Sequence, residues 1–165
     1  MKNKTRWTAA VLLLCMGLAA TAEEVTITSD RFEADEQSRV TKFLGHVHMK
    51  KGTDELNATK VNVYFNAKRK PLKYEALGKV SFVIHMKEDP KWYSGKADRL
   101  VYRPAGEIYE LYGHVVLKEP ALDRTVTGEK VVVEKQSGRA TVEGGAHKPV
   151  KFIFKVEEKD AGKNR

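Results

Sequence analysis

Ser29–Lys50, SDRFEADEQSRVTKFLGHVHMK, is written a second time 68 positions later as Ala97–Lys118, ADRLVYRPAGEIYELYGHVVLK. Asp30 falls on Asp98, Arg31 on Arg99, Gly45-His46-Val47 on Gly113-His114-Val115, and Lys50 on Lys118. A segment repeated at fixed spacing signals a fold built by stacking one unit. Each copy holds two extended runs around a polar break, so each copy predicts a β-hairpin.

Outside the doubled stretch the same alternation continues. Val61, Val63 and Phe65 share one face of a strand, as do Val80, Phe82 and Ile84. Phe43, Val47 and Met49 are matched by Leu111, Val115 and Leu117, with His46 and His48 assigned to the opposite face. Val150, Phe152 and Phe154 alternate with Lys151, Ile153 and Lys155. Turn residues separate these runs at Lys51-Gly52-Thr53-Asp54, Asn66-Ala67-Lys68, Glu88-Asp89-Pro90, Pro104-Ala105-Gly106, Glu119-Pro120, Gln136-Ser137-Gly138 and Gly144-Gly145. Period-two runs between such turns read as half-buried antiparallel strands. The chain is therefore all-β, a sandwich, jelly roll or solenoid.

A finer repeat places unit starts near residues 26, 57, 94 and 127, four units of three to four short strands each. Phe32, Val63, Leu100 and Val133 occupy one equivalent inward position, and Ala34, Phe65, Tyr102 and Lys135 the next. Gly45, Gly78, Gly113 and Gly145 recur in the second half of each unit, where they leave room or allow curvature. A unit this small cannot bury its apolar face alone, so neighbours stack into a sandwich with two open ends. Val25 and Ile27 of the first strand, with Phe152 and Phe154 of the last, are the predicted edge-pairing residues. An apolar strand edge is a liability unless another strand pairs with it, which suggests head-to-tail association.

The chain's ends have a different grammar. Lys2, Lys4 and Arg6 precede an apolar run from Ala9 to Ala20, and Ala20-Thr21-Ala22 supplies small residues for a cleavage site. Residues 1–22 read as a cleaved secretory signal peptide. An uncleaved anchor is one alternative; a lipoprotein signal at Leu12-Leu13-Leu14-Cys15 is another, disfavoured by bulky Leu14. Residues 23–156 then form one domain, and 157–165 a charged tail. Losing Cys15 with the leader leaves no cysteine, which suits a bacterial periplasm. Removing Lys2, Lys4 and Arg6 from the 30 basic residues leaves 27 against 22 acidic, about +5. In an exported domain that points away from nucleic acid and toward anionic lipids or glycans, with simple solubility as the plain alternative.

No catalytic constellation is visible. There is no Gly-x-Ser-x-Gly and no cysteine nucleophile beyond the leader. His46 and His48 have a metal-compatible spacing, but Val116 stands where the repeat would place the second histidine, so no metal site is assigned. Asp30 and Asp98 read as caps or arginine partners rather than an acid pair. Trp92-Tyr93 reads as a sandwich corner, with sugar stacking as the alternative. No cofactor or enzyme activity is expected. A sandwich core filled by its own side chains is the default; an inner face interrupted by Ala34 and the recurring glycines also allows acyl chains, each buried methylene contributing about 0.8 kcal/mol.

Several runs, in order, resemble the LptA/OstA-like family of periplasmic lipopolysaccharide-transport bridge proteins. They are Val25-Thr26-Ile27-Thr28-Ser29-Asp30, Phe43-Leu44-Gly45-His46-Val47 and Leu56-Asn57-Ala58-Thr59-Lys60-Val61. Gly78-Lys79-Val80-Ser81-Phe82, Gly95-Lys96-Ala97-Asp98-Arg99-Leu100-Val101-Tyr102 and Val126-Thr127-Gly128-Glu129-Lys130-Val131 continue the match. The resemblance implies an open, V-shaped β-jelly roll shielding lipid A. It implies head-to-tail assembly between an inner-membrane LptC-like partner and the outer-membrane LptD-like translocon. Lipid-facing positions of the family would fall on Val25, Phe82 and Tyr102; the repeat phase adds Phe32, Val63, Phe65 and Leu100. Two departures stand out. The family usually carries Asn where this chain has His46 and His114, and a lipid-facing leucine of some members would fall on Pro104, read here as a turn. Alternatives are an inner-membrane-anchored relative of the same fold and a periplasmic glycan-binding or scaffold module.

Overall fold

The computed structural model describes residues 23–86 and 91–156. The predicted leader, the Glu88-Asp89-Pro90 turn and the tail 157–165 lie outside the described residues. Within them ten antiparallel strands form one hydrogen-bonded sheet. They are β1 (Val25–Thr28), β2 (Arg31–Asp35), β3 (Val40–Lys51), β4 (Asp54–Phe65), β5 (Pro71–His85), β6 (Trp92–Arg103), β7 (Ile108–Glu119), β8 (Arg124–Glu134), β9 (Arg139–Glu143) and β10 (Lys151–Ile153). The path runs β1-β3-β4-β5-β6-β7-β8-β10, with β2 also on β3 and β9 also on β8.

Strands β3 to β8 are 11 to 15 residues long, longer than the three to four short strands per unit that the repeat suggests. The difference lies at the recurring glycines. Ladder register slips between Leu44 and Val47, between Leu77 and Val80, and between Tyr112 and Val115. At each slip two successive residues are left-handed: Gly45 and His46 (φ 76 and 41), Gly78 and Lys79 (78 and 48), Gly113 and His114 (73 and 48). Such bulges bend a strand without ending it. The predicted short strands are thus halves of long bent ones, and the doubled hairpin is β2–β3 in one copy and β6–β7 in the other.

The residue after each bulge glycine must tolerate left-handed backbone, for which Asn, Asp and His are enriched. This accounts for histidine at 46 and 114. Both side chains are exposed, and each lies against the aspartate of its own repeat, so Asp30 and Asp98 are histidine partners where the sequence suggests caps or arginine partners. His46 Nδ1 lies 2.6 Å from Asp30 Oδ2 and His114 Nδ1 2.8 Å from Asp98 Oδ2. The bulge also separates His46 from His48, whose Nδ1 lies 2.8 Å from Asn57 Oδ1. The two histidines serve different partners, contrary to the simple alternation expected of them.

The bends divide the ladder into two facing layers. Sheet I contains β1, the second halves of β3, β5 and β7, the first halves of β4, β6 and β8, and β10. Sheet II contains β2, the complementary halves and β9. They share a spine of bends and are not closed into a barrel: β1 and β10 are the edges of sheet I, β2 and β9 those of sheet II. The result is an open antiparallel jelly roll built from stacked bent hairpins.

Candidate functional site

Alternation carries apolar side chains from every long strand into the space between the sheets. Val47, Met49, Leu56, Val80, Phe82, Ile84, Val115 and Leu117 come from sheet I, and Val61, Val63, Ala76, Leu100, Leu111, Val131 and Val133 from sheet II. This face is continuous from one end of the spine to the other. Tyr74, Tyr102 and Tyr109 form a row along sheet II, with centroids 5.8 Å and then 4.6 Å apart. Burial raises the phenol pKa of all three, so they stay neutral in the physiological range.

In the middle the interior is full. Beside the rim, a residual cavity bounded by Met49, Leu56, Phe82, Leu100, Tyr102, Tyr109 and Asp54 is about 20 Å³. That is room for about one water. Larger spaces lie toward the ends. At the N-terminal mouth Ala34, Val40, Phe65 and Ala67 line a pocket of about 310 Å³ whose wall also carries Arg39, Arg69, Asp35 and Glu36, with Arg69 3.8 Å from Glu36. At the C-terminal mouth Tyr93, Leu117, Val126, Ala140, Val142 and Phe152 line one of about 140 Å³. A further concavity of about 440 Å³ lies on the outward face of sheet I, among Asn57, Ser81, Ser94, Lys96 and Lys118. Gly95 and Val116 also line it, and a Cβ on Gly95 would stand 1.9 Å from the Val116 carbonyl oxygen.

A polar cluster is buried at the rims opposite the spine. Asp54, at the start of β4 in sheet I, accepts hydrogen bonds at Oδ2 from Tyr109 Oη (2.8 Å), on β7 in sheet II, and from Lys135 Nζ (2.7 Å), in the turn that follows β8. Its Oδ1 accepts from the His85 backbone N–H at 2.8 Å. The Asp54 and Lys135 residues are 6% and 9% exposed. Beside them Lys51 lies 2.8 Å from Glu23, 3.9 Å from Glu107 and 5.3 Å above the Tyr102 ring. Burial alone would lower the Lys51 pKa, but its hydrogen bonds to Glu23 and Tyr102 hold it above the usual lysine range.

Residues 26–139 match the family model described as LptA/(LptD N-terminal domain) LPS transport protein. The chain belongs to that family. No curated protein sequence matches it significantly. The fold is similar to the crystal structure of LptH from Pseudomonas aeruginosa, titled the LptA homologous periplasmic component of the conserved lipopolysaccharide transport device. The TM-score is 0.72 at 13% identity, over 81% of this chain and 96% of that one.

Set on this family fold, the residues singled out by sequence fall into two groups. Val63, Phe82, Leu100 and Tyr102 are buried on the inner face, and Val25 and Phe65 are half-buried against it. Phe32 occupies the same face but lies at the edge of sheet II. It is 61% exposed and meets Phe43 edge-on at 5.4 Å. Val25 and Ile27 lie on edge strand β1, paired with Lys51 and Met49. Phe152 lies on β10 opposite Val126, while Phe154 follows that strand's end; their rings stack at 5.3 Å and both are exposed. Pro104 opens a 3-10 turn, as read. Asp54, Tyr109 and the ionic role of Lys135 were not foreseen. A lysine at an inward repeat position was the available signal, because an inward charge requires a buried partner.

Proposed function

We propose that the chain is a non-enzymatic periplasmic carrier, exported by a cleavable leader, that binds the acyl chains of lipopolysaccharide on its inner face. It bridges an inner-membrane LptC-like partner and an outer-membrane LptD-like translocon. The observation that carries this reading is the unbroken apolar face running between two mouths, each flanked by strand edges. Burying acyl methylenes there contributes about 0.8 kcal/mol each.

A photo-crosslinker placed at Phe82 or Tyr102 is expected to capture lipopolysaccharide in living cells, while one at Val83, a single residue on, points outward and stays unlabelled. Equal capture at positions 82 and 83 would overturn inner-face binding.

Head-to-tail assembly is the second part of the reading. It is supported by the apolar C-terminal edge, where Val150, Phe152, Ile153 and Phe154 are all exposed. Changing Phe152 and Phe154 together to Asp is expected to weaken self-association at least roughly tenfold in Kd, about 1.4 kcal/mol, measured by light scattering across a concentration series. Unaltered scattering would remove this edge from the interface.

A further inference from the structure

The acyl-carrier reading leaves a physical problem. The interior is filled by its own buried side chains, and the cavity beside Asp54 has room for about one water, so an acyl chain enters only if the sheets part. Along the spine they cannot, because β3 to β8 pass continuously from one sheet to the other. Separation has to occur at the opposite rims. There the cross-sheet contacts include the Asp54 bonds to Lys135 and Tyr109, which join positions 81 and 55 residues apart.

The chemistry of that closure differs from the rest of the interior. Where an apolar seam closes, water is excluded at a net gain. Where an ion pair closes, desolvation of both charges offsets most of their attraction. Opening the rim returns Asp54 and Lys135 to water and restores their hydration, so the two states lie close in free energy. Tyr109 adds one hydrogen bond to the closed side. The cluster is thus suited to hold a contact that must be released.

We propose that Asp54, Lys135 and Tyr109 latch a lateral gate between the two sheet rims, through which an acyl-chain amphiphile enters the interior. The identity of the amphiphile rests on the carrier reading; the gate itself does not, and is tested without lipid. With Cys15 removed in the predicted leader, a single Ala76→Cys substitution places a unique thiol on the inner face, at a residue 2% exposed. Its modification by a soluble disulfide reagent then reports opening.

In the mature chain carrying this thiol, Tyr109→Phe and, separately, Lys135→Met are expected to speed labelling at least tenfold. Denaturant titration gives the global unfolding equilibrium in parallel. Labelling that rises only as far as the loss of global stability predicts, or not at all, would overturn the latch. Uptake of a fluorescent fatty acid is expected to accelerate by a similar factor in both variants. Faster thiol labelling with no fatty acid or lipopolysaccharide bound at any concentration would leave the gate standing and sink the carrier reading. Lipid binding at one unchanged rate in all three proteins would sink the gate and leave the carrier.

Discussion

Gly95→Ala is expected to cost at least about 3 kcal/mol, the upper end of ordinary overpacking, and to leave much of the chain unfolded at moderate temperature. A Cβ at this position would stand 1.9 Å from the Val116 carbonyl oxygen and 3.0 Å from the Phe82 ring. The first neighbour is backbone and cannot rotate away, so β6 and β7 must separate, taking ladder hydrogen bonds with them. Gly138→Ala makes the contrast. That glycine has a φ of 68° and nothing within 4 Å of a built Cβ, so the change costs only the left-handed backbone penalty of about 1–2 kcal/mol. Urea titrations of the two variants separate steric from conformational cost. Similar midpoints for both would refute the close approach of β6 and β7.

Leu111→Ala is expected to destabilise the chain by about 2–5 kcal/mol. Leu111 is 0% exposed and lies at the centre of sheet II, where it pairs with Leu100 and Val131. Strands on both sides hold the site open, so little collapse can fill the void. Phe32→Ala removes a larger side chain but is expected to cost less than about 1 kcal/mol, since Phe32 sits at a sheet edge and is 61% exposed. A thermal or urea denaturation series that ranked Phe32→Ala above Leu111→Ala would contradict the placement of the core. The same pair distinguishes two kinds of inner-face residue: Leu111 maintains the structure, and Phe32 is displayed at a mouth.

Much of this architecture could be read without coordinates because its signals are local. Period-two alternation assigns Val61, Val63, Phe82, Leu100 and Tyr102 to one side of their strands, and all five are buried there. Turn chemistry at Pro104 and Pro120 predicts chain reversals, and both open 3-10 turns. The repeated Asp30 and Gly45-His46, with Asp98 and Gly113-His114, marks equivalent rungs. Its actual use, an aspartate holding a histidine over a left-handed bulge, depends on cross-strand neighbours that alternation cannot name. Counting turns also leaves strand length open, since a bulge glycine and a turn glycine look alike in sequence.

Backbone preference and side-chain period act over a few residues, so the sequence alone determined the all-β class, the inward face and the hairpin repeat. The meeting of Asp54 with Lys135, 81 residues away, is of another kind, as are the close approach of β7 to β6 at Gly95 and the filling of the central interior. Those depend on how two twisted sheets close across a shared spine. Asp54 reads as a turn residue until folding brings a lysine, and a tyrosine from the other sheet, within hydrogen-bond reach. Only then are a buried carboxylate and a buried ammonium paired, in a low dielectric where either one alone would be costly.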